Sequence, residues 1–445
     1  MIIRDFGNDD NPLIDDFRKR MVDASKKLKD PSLCSEQEPM IGYPTTFLPL
    51  DFMNGIRISN TSLYEDIEYT YDAIGINEGT CNMVIGPTAS AKTTMVIQAA
   101  CSIAQRFPAS IIIHEDVERA TTKQRIRNIS GWNSRMLDKK YIIRDKGITT
   151  ESFEFRVMEH YKQKMELSIS HPEIMFYNTG IIDEKGKMVK KMIPSIVILD
   201  SLPSLLPAEL QIEAKDKGNM TAASVAKANT QMIKLLIPRL KEANIILFII
   251  NHINPKINTG FFPAAAQINY LKQDEQLPGG NAILYLANNI FKFTKDVNLT
   301  SDKEFGINGW KAKAQIIKSR SNRAGQIAPL VYNQEFGFDR YLSCYQMLKN
   351  AGLVKGSNWY YFEDLEGHKF QQKQLLEKLH EDEVMRRHML SLTRIVGEQF
   401  LSGTSLTKEE DDKQNASYSD MEAEGNLLAQ QILSGGFGNG LSIGL

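Results

Sequence analysis

Cysteine is scarce in this chain: its 445 residues contain four, at positions 34, 81, 101 and 344. No two of them form a C-x-x-C arrangement. Structural zinc sites and disulfide frameworks both need cysteines at characteristic spacings, so the sequence argues against either. Such scattered cysteines are typical of a protein from a reducing compartment.

Long apolar runs are also missing. The longest lies near Ile245–Ile250, far short of the ~20 residues that a membrane-spanning helix requires. The first residues, Met1 to Asp5, lack the apolar core of a secretory signal peptide. We therefore expect a cytoplasmic protein with no membrane partner.

An excess of charge of one sign is missing too. Lys and Arg together number 53, and Asp and Glu 54. Net charge alone therefore does not indicate a nucleic-acid-binding protein, and any site for a polyanion has to come from local asymmetry. Hydrophobic residues make up 42 % of the sequence, as in folded globular proteins. A chain of 445 residues is too long for one ordinary core, which predicts two or three structural units.

What the chain does contain is a series of short β-branched runs separated by longer helical stretches. The runs are Met83–Ile85, Ser110–His114, Ser195–Leu199, Ile245–Ile250, Ile290–Phe293, Gln315–Lys318 and Pro329–Tyr332. Continuous apolar strands that alternate with helices predict an α/β fold, with a mostly parallel twisted sheet and helices on both faces.

Composition divides the chain into four parts. Residues 1–78 mix a charged helical stretch with a turn-rich segment and are predicted to be an N-terminal extension that packs on another body. Residues 79–340 carry the predicted α/β core, and residues 341–402 a smaller helix-rich C-terminal region. Residues 403–445 are acidic and then glycine-rich, which predicts a flexible tail.

A phosphate-binding loop follows the first apolar run. Its residues are Gly86, Pro87, Thr88, Ala89, Ser90, Ala91, Lys92, Thr93 and Thr94. They fit the P-loop pattern G-x-x-x-x-G-K-[ST] between a strand and a helix, except at Ala91. In such a loop, backbone N–H groups cradle the β- and γ-phosphates, Lys92 neutralises phosphate charge and the Thr93 hydroxyl binds Mg²⁺. The simpler alternative is a strand-to-helix turn that happens to contain Lys-Thr.

Ala91 occupies the position of the second glycine in the P-loop pattern. If this position needs a left-handed backbone, its Cβ atom costs about 1–2 kcal/mol. If the backbone there is right-handed, the cost is small.

Carboxylates at two other strand ends complete the predicted nucleotide site. The run Ser195–Leu199 leads to Asp200, which would hold Mg²⁺ together with Thr93, because ligands bind at the carboxyl edge of an open α/β sheet. Glu115 and Asp116 follow another apolar run, and one of them would activate the attacking water. We favour Glu115 and keep Asp116 as the alternative. Strands often end in Asp, and acids often begin a helix, so both motifs also have structural explanations.

Taken in order, the motifs at the strand ends resemble the RecA recombinase family, and most closely the UvsX-type recombinases of tailed phages. The matching elements are the P-loop, Glu115 or Asp116, Asp200-Ser201, Asn251-His252, Gly279-Gly280-Asn281 and Lys318-Ser319-Arg320, within residues 70–345. Gly352–Tyr361 resembles the C-terminal region of the same branch. Ala91 before the P-loop lysine and His252 after Asn251 are also features of that branch.

The resemblance implies an ATP-dependent homologous recombinase with ATP and Mg²⁺ as cofactors. Such a protein forms a helical filament on single-stranded DNA, pairs it with duplex DNA and hydrolyses ATP at protomer interfaces when DNA is bound. Single-strand-binding and mediator proteins are implied partners, and a phage-infected bacterium is the implied setting. The alternatives are a ring-forming replicative helicase on the same core and a non-catalytic recombination mediator.

The resemblance also implies that two segments bind DNA: the polar stretch with Lys215 and Lys217, and residues 253–278. The second is too long for an ordinary loop and carries both cations and aromatic residues. Cations would contact phosphates, aromatic rings would stack on bases, and glycines would allow close backbone approach. The candidates are Lys256, Phe261, Phe262, Tyr270, Lys272, Gly279, Gly280 and Asn281. The alternative is that the aromatic residues pack on a neighbouring subunit.

Three further residues receive roles from the resemblance. His252 would sense the γ-phosphate and shift the DNA-binding segment, although a strand-end histidine with local hydrogen bonds is the simpler explanation. Lys318 and Arg320 would reach the ATP held by the adjacent protomer, with Arg320 as an arginine finger. A solvated basic strand edge is the alternative for these two. If they act in trans, the N-terminal extension is the natural donor of a packing arm to the next protomer.

Overall fold

The computed structural model describes residues 39–62, 67–182, 186–213, 220–255, 266–279 and 281–401. The first 38 residues of the predicted extension and the predicted tail after residue 402 lie outside the described residues. Several candidate DNA-binding residues also lie outside them and are named with the site below.

Strands and helices alternate through most of the described chain. The strands are β1 Gly42–Tyr43, β2 Ile56–Ser62, β3 Ile67–Ala73, β4 Ile76–Asn77, β5 Cys81–Gly86, β6 Ile112–Asp116, β7 Tyr141–Arg144, β8 Phe176–Ile182, β9 Met188–Met192, β10 Ser195–Asp200, β11 Ile245–His252, β12 Asn254–Pro255, β13 Glu275–Gln276, β14 Asn289–Leu299, β15 Gly309–Ser319, β16 Ile327–Asn333, β17 Gly337–Asp339, β18 Val354–Lys355 and β19 Tyr361–Phe362. The helices are α1 Leu48–Met53, α2 Lys92–Ala104, α3 Lys123–Ser130, α4 Ser134–Lys140, α5 Thr150–Ser170, α6 Pro172–Met175, α7 Ala208–Glu213, α8 Met220–Glu242, α9 Asn281–Leu286, α10 Arg340–Asn350, α11 Leu375–Glu381 and α12 Glu383–Glu398.

One central sheet organises the molecule. Its nine strands lie in the order β17-β16-β15-β14-β5-β11-β10-β6-β7. The six strands from β14 to β7 are parallel to one another, and β15, β16 and β17 continue the sheet antiparallel. The α/β class predicted from the sequence, with a mostly parallel sheet and helices on both faces, is confirmed.

The two faces of the sheet pack against different helices, because successive side chains of a strand point to opposite faces. On β10, Ile196 and Ile198 lie in the same buried cluster as residues of α2, whereas Val197 and Leu199 cluster with residues of α5 and α8. Each fully buried aliphatic side chain of this kind contributes about 1.5–3 kcal/mol. We call the side covered by α2 the P-loop face and the other side the opposite face.

The segments that precede and follow the sheet in the sequence also contribute to buried clusters within this chain. Phe47, Leu50 and Met53 belong to the buried cluster of the P-loop face. After the sheet, residues of α10, α11 and α12 enclose a further cluster that contains Tyr345 and Phe362. Along the chain, the first strand of the central sheet is β5 and the last is β17. The division into four parts stays a prediction.

The described helices include none that could cross a bilayer, since none is both long and apolar enough.

Candidate nucleotide-binding site

The P-loop connects the carboxyl end of β5 to α2. Gly86 ends the strand, and a Cβ atom at this position would lie 2.4 Å from the backbone oxygen of Phe293, so glycine is required there. Residues 87–89 are exposed. Ser90 is buried, and its hydroxyl donates to the Pro87 carbonyl at 2.8 Å. The loop is therefore tied to itself and open to solvent at its tip.

Ala91 has a left-handed backbone, with φ 61° and ψ 26°. The irregular residue of the motif thus adopts the conformation for which glycine is favoured, at a cost of about 1–2 kcal/mol. The turn brings Lys92, Thr93 and Thr94 into the first turn of α2 at the edge of the sheet. Free N–H groups and the helix dipole make this end of α2 favourable for a phosphate.

Replacing Ala91 with Val is expected to lower the free energy of unfolding by about 1–3 kcal/mol, because a β-branched side chain fits a left-handed backbone poorly. Ala91→Gly is the matched control, since glycine adopts this conformation without strain. Urea denaturation of the three proteins measures the difference. Equal stability of the Val and Gly variants would contradict the left-handed assignment.

Lys92 is almost fully buried within its own loop. Its ammonium donates to the carbonyl oxygens of Gly86 and Pro87 at 2.9 and 2.8 Å. Burial lowers its pKa to about 8, while the nearby Asp200 and Glu118 carboxylates oppose this shift. An anionic phosphate oxygen is a stronger acceptor than a backbone carbonyl, so this ammonium can exchange its present partners for phosphate.

Thr93 and Asp200 meet where α2 begins. The Thr93 hydroxyl donates to Asp200 Oδ2 at 2.8 Å. Burial is the main cause that raises the pKa of Asp200 to about 6, with Glu118 and Asp116 adding to it and the Thr93 hydrogen bond opposing it. A hydroxyl and a carboxylate are the hard oxygen donors that Mg²⁺ prefers, so these two residues fit the predicted metal. A bound cation would also offset the cost of a buried, ionised Asp200.

Glu115 lies on the opposite face, away from the P-loop. Its carboxylate is 1 % exposed and is held by two arginines, Arg144 at 3.1 Å and Arg156 at 2.7 and 2.8 Å. The cause is the strand alternation: Ile113, two residues earlier, is in the cluster of the opposite face, and residues two apart on a strand share a face. The structure therefore does not bring the favoured candidate base together with Lys92, and it gives Glu115 a structural partnership instead.

Asp116, the alternative candidate, is placed differently. It pairs in register with Asp200 on the neighbouring strand and is fully buried. Its two carboxylate oxygens accept hydrogen bonds from the backbone N–H groups of Ala120 and Thr121, at 3.3 and 2.8 Å. Asp116 therefore holds the turn that follows β6.

Glu118 is the carboxylate that the sequence analysis missed. The helix after β6 begins at Lys123, so Glu118 lies in the turn before it, where its backbone N–H is 3.3 Å from the Asp200 carbonyl oxygen. Its Oε1 atom accepts hydrogen bonds from the Ser201 hydroxyl and from His252 Nε2, the latter at 3.0 Å. Burial alone would raise the pKa of Glu118, but these hydrogen bonds outweigh it and hold that pKa below its usual value. The available signal was a third acidic residue, two positions after Asp116 and close behind the same apolar run.

The end of β11 connects this carboxylate to the predicted DNA-binding segment. The Asn251 side chain donates to the Pro278 carbonyl at 3.0 Å and accepts from the backbone N–H of His252 at 2.7 Å. Gly279 follows with φ +96°, and a Cβ atom there would lie 3.3 Å from Leu202. Both ends of the segment are therefore packed beside the nucleotide site.

The described parts of that segment, residues 253–255 and 266–278, carry two of the candidate DNA contacts. Tyr270 is 49 % exposed, and Lys272 is exposed. The candidates Lys215, Lys217, Lys256, Phe261, Phe262 and Gly280 lie outside the described residues. Asn281 begins α9.

Lys318 and Arg320 lie against the carboxyl end of α9. The Lys318 ammonium donates to the carbonyl oxygens of Leu284, Tyr285 and Ala287 at 2.6, 2.8 and 2.7 Å. Arg320 donates to the Tyr285 carbonyl at 2.8 Å. Burial, followed by the neighbouring Arg320, lowers the pKa of Lys318 to about 8. Both cations therefore cap a helix within this chain.

Comparison with known proteins gives a distant likeness. No model of a known protein family matches the chain. The chain is similar to a protein described as a mitochondrial DNA repair protein recA homolog, from Dictyostelium discoideum, with 22 % identity over 307 residues. The matched region covers 68 % of this chain and 57 % of that relative, so the chain spans somewhat more than half the length of the relative it matches. This distant likeness is consistent with the RecA-type family that the motifs resemble.

Proposed function

We propose that this protein is an ATP-dependent homologous recombinase of the RecA type. It would coat single-stranded DNA as a helical filament and exchange strands with duplex DNA, hydrolysing ATP when DNA is bound. The observation that carries the proposal is the 3.0 Å contact between Glu118 and His252, because it joins the nucleotide site to the strand end that leads into the DNA-binding segment. The likeness to a DNA repair protein called a recA homolog supports the same function.

In this proposal the residues of the P-loop edge bind ATP and prepare its hydrolysis. The amino end of α2 and Lys92 hold the β- and γ-phosphates, and Thr93 and Asp200 hold Mg²⁺, which neutralises charge on the phosphates. Glu118 takes the role that the sequence analysis gave to Glu115: it orients the attacking water and accepts its proton. The hydrogen bonds from Ser201 and His252 lower the pKa of Glu118 and so weaken it as a base, and losing the His252 bond would strengthen it.

Hydrolysis depends on DNA because Glu118 is shared. While His252 and Ser201 occupy its Oε1 atom, the carboxylate is directed at the protein. DNA bound to residues 253–278 would shift the end of β11, withdraw His252 and leave Glu118 free to bind the attacking water. Such coupling needs a structural element with two arrangements, and ATP and DNA must each bind one arrangement more tightly than the other. The hydrogen bond from Asn251 to the Pro278 carbonyl supports β11 in that role.

DNA would be held by the two segments assigned from the sequence. In residues 253–281, Lys256 and Lys272 would contact phosphates. The aromatic residues Phe261, Phe262 and Tyr270 would stack on bases. The DNA backbone would be approached by Gly279, Gly280 and Asn281. Lys215 and Lys217 complete the proposed set. The exposure of Tyr270 and Lys272 supports the part of this assignment that lies within the described residues.

The proposed role of Lys318 and Arg320 at a neighbouring protomer also depends on DNA. Both residues cap α9, and α9 starts where the DNA-binding segment ends. A shift of α9 on DNA binding would release the two cations toward the ATP of the adjacent protomer, where Arg320 would stabilise charge on the transferring phosphoryl group. ATP would then bridge protomers and favour the filament. The UvsX-type branch, the phage-infected host and the mediator partners belong to this proposal as well.

Electron microscopy of the full chain with single-stranded DNA, ATP and Mg²⁺ tests the proposed function. We expect continuous helical filaments on the DNA, and none in a parallel sample that lacks nucleotide. Closed rings would instead identify the replicative helicase. Absence of any ordered assembly on DNA would contradict the recombinase.

A further inference from the structure

Three side chains on the P-loop face form a buried cluster behind the nucleotide site. They are His114 and Asp116 on β6 and Asp200 on β10. His114 and Asp116 are two residues apart, so they share a face, and Asp116 pairs in register with Asp200. One nitrogen or oxygen atom from each of the three lies within 4.8 Å of the others. A small cation between these atoms would need only modest side-chain movement to touch all three.

His114 supplies an independent sign that the cluster takes a ligand. Its side chain is fully buried, and its Nε2 atom has no hydrogen-bond partner while lying 4.0 Å from Asp200 Oδ2. The other ring nitrogen, Nδ1, is 2.9 Å from the Tyr141 hydroxyl. Buried polar atoms are nearly always paired, so an unpaired imidazole nitrogen 4.0 Å from a carboxylate oxygen calls for a partner.

The hydrogen bond of the other ring nitrogen suits a metal ligand. In the tautomer that donates Nδ1–H to the Tyr141 oxygen, Nε2 carries a lone pair and lies 4.0 Å from Asp200 Oδ2. A metal-binding histidine is oriented in the same way, with one nitrogen on the metal and the other hydrogen-bonded to the protein.

We propose that His114, Asp116 and Asp200 form a binding site for a divalent transition-metal ion such as Mn²⁺. One imidazole nitrogen and two carboxylates make a mixed donor set, which favours first-row transition metals over Mg²⁺. Asp200 Oδ2 also accepts the Thr93 hydroxyl, so this carboxylate would bridge the new site and the Mg²⁺ site of the proposed ATPase. The site itself requires no nucleotide.

Titration of the nucleotide-free full chain with Mn²⁺ tests the site, with electron paramagnetic resonance as the readout. We expect one ion that shows nitrogen coupling in the pulsed spectrum. His114→Gln should abolish that coupling, and Tyr141→Phe, which removes only the partner of Nδ1, should weaken binding by about 10–100-fold. His160→Gln is the matched control, since this histidine is largely buried but its Nε2 is paired with Ser195 at 2.8 Å. It should leave both binding and coupling unchanged.

A wild-type spectrum without nitrogen coupling would overturn the site, as would unchanged coupling in His114→Gln. If His114→Gln does not fold, the affinity of Tyr141→Phe decides, and an affinity equal to the wild type overturns the site. Lys92→Ala separates this inference from the proposed function: it should lose ATP hydrolysis and keep the Mn²⁺ signal. The metal site and the ATPase can therefore fail independently.

Discussion

Replacing Glu118 with Gln is expected to lower ATP hydrolysis by about 10²–10⁴-fold, the usual contribution of a general base. Glutamine has the same shape and can still accept hydrogen bonds from Ser201 and His252 through its carbonyl oxygen. It cannot accept the proton of the attacking water. The variant should therefore fold and bind ATP like the wild type while its turnover is lost.

Steady-state ATP hydrolysis in the presence of single-stranded DNA measures this effect, and nucleotide binding is measured alongside it. Glu159→Gln is the matched control, because Glu159 is a partly exposed glutamate on α5 whose carboxylate accepts from the Gln163 side chain at 3.3 Å and lies 4.0 Å from Lys162. Its turnover should equal that of the wild type. Normal turnover in Glu118→Gln would show that Glu118 is not the general base and that another carboxylate has this role.

Glu115→Ala is expected to destabilise the fold by about 3 kcal/mol, the lower end of the range for breaking a buried ion pair. The change removes the carboxylate that accepts one hydrogen bond from Arg144 and two from Arg156. The lower end applies because the two arginine side chains are 39 % and 21 % exposed and can turn toward water.

Chemical denaturation of the variant and the wild type measures this loss. Asp138→Ala is the control: it breaks an exposed pair with Lys123, whose N–O distance is 3.2 Å, and should cost at most about 1 kcal/mol. A Glu115→Ala protein of wild-type stability that has lost ATP hydrolysis would reverse the assignments of Glu115 and Glu118.

The sequence predicted the parts of the site that local pattern determines. A P-loop motif between a buried strand and a helix indicates where phosphates bind, and the apolar run before Asp200 indicates that this carboxylate lies at the same edge of the sheet. These two predictions place Thr93 and Asp200 in one site, and the structure brings them to 2.8 Å. The α/β class followed from the same alternation of apolar runs and helices.

The sequence could not predict features that depend on partners distant in the chain. Glu115 and Glu118 are the same residue type, and only the three-dimensional structure brings one to Arg156 and the other to His252. Sequence reasoning found β6 from its continuous apolar run, which does not indicate which face each following acid takes. Lys318 and Arg320 were similarly recognised as a pair, but their present acceptors lie in α9, more than thirty residues earlier.

The metal cluster was also beyond the sequence analysis. His114 stood at the end of an apolar run without an assigned role, because its significance depends on an unpaired nitrogen and on the neighbouring strand. Ala91 shows the opposite case. The motif identified its position and predicted a strain of about 1–2 kcal/mol for a left-handed backbone or a small one for a right-handed backbone. The φ angle of 61° shows that the backbone is left-handed.

The rate of ATP hydrolysis with and without single-stranded DNA tests the central claim most directly, since the claim joins Glu118 to the DNA-binding segment through His252. The measurement uses the full chain with saturating ATP and Mg²⁺. We predict a low rate without DNA and a clear increase when single-stranded DNA is added, lost again in Glu118→Gln. A rate that is the same with and without DNA would contradict the account.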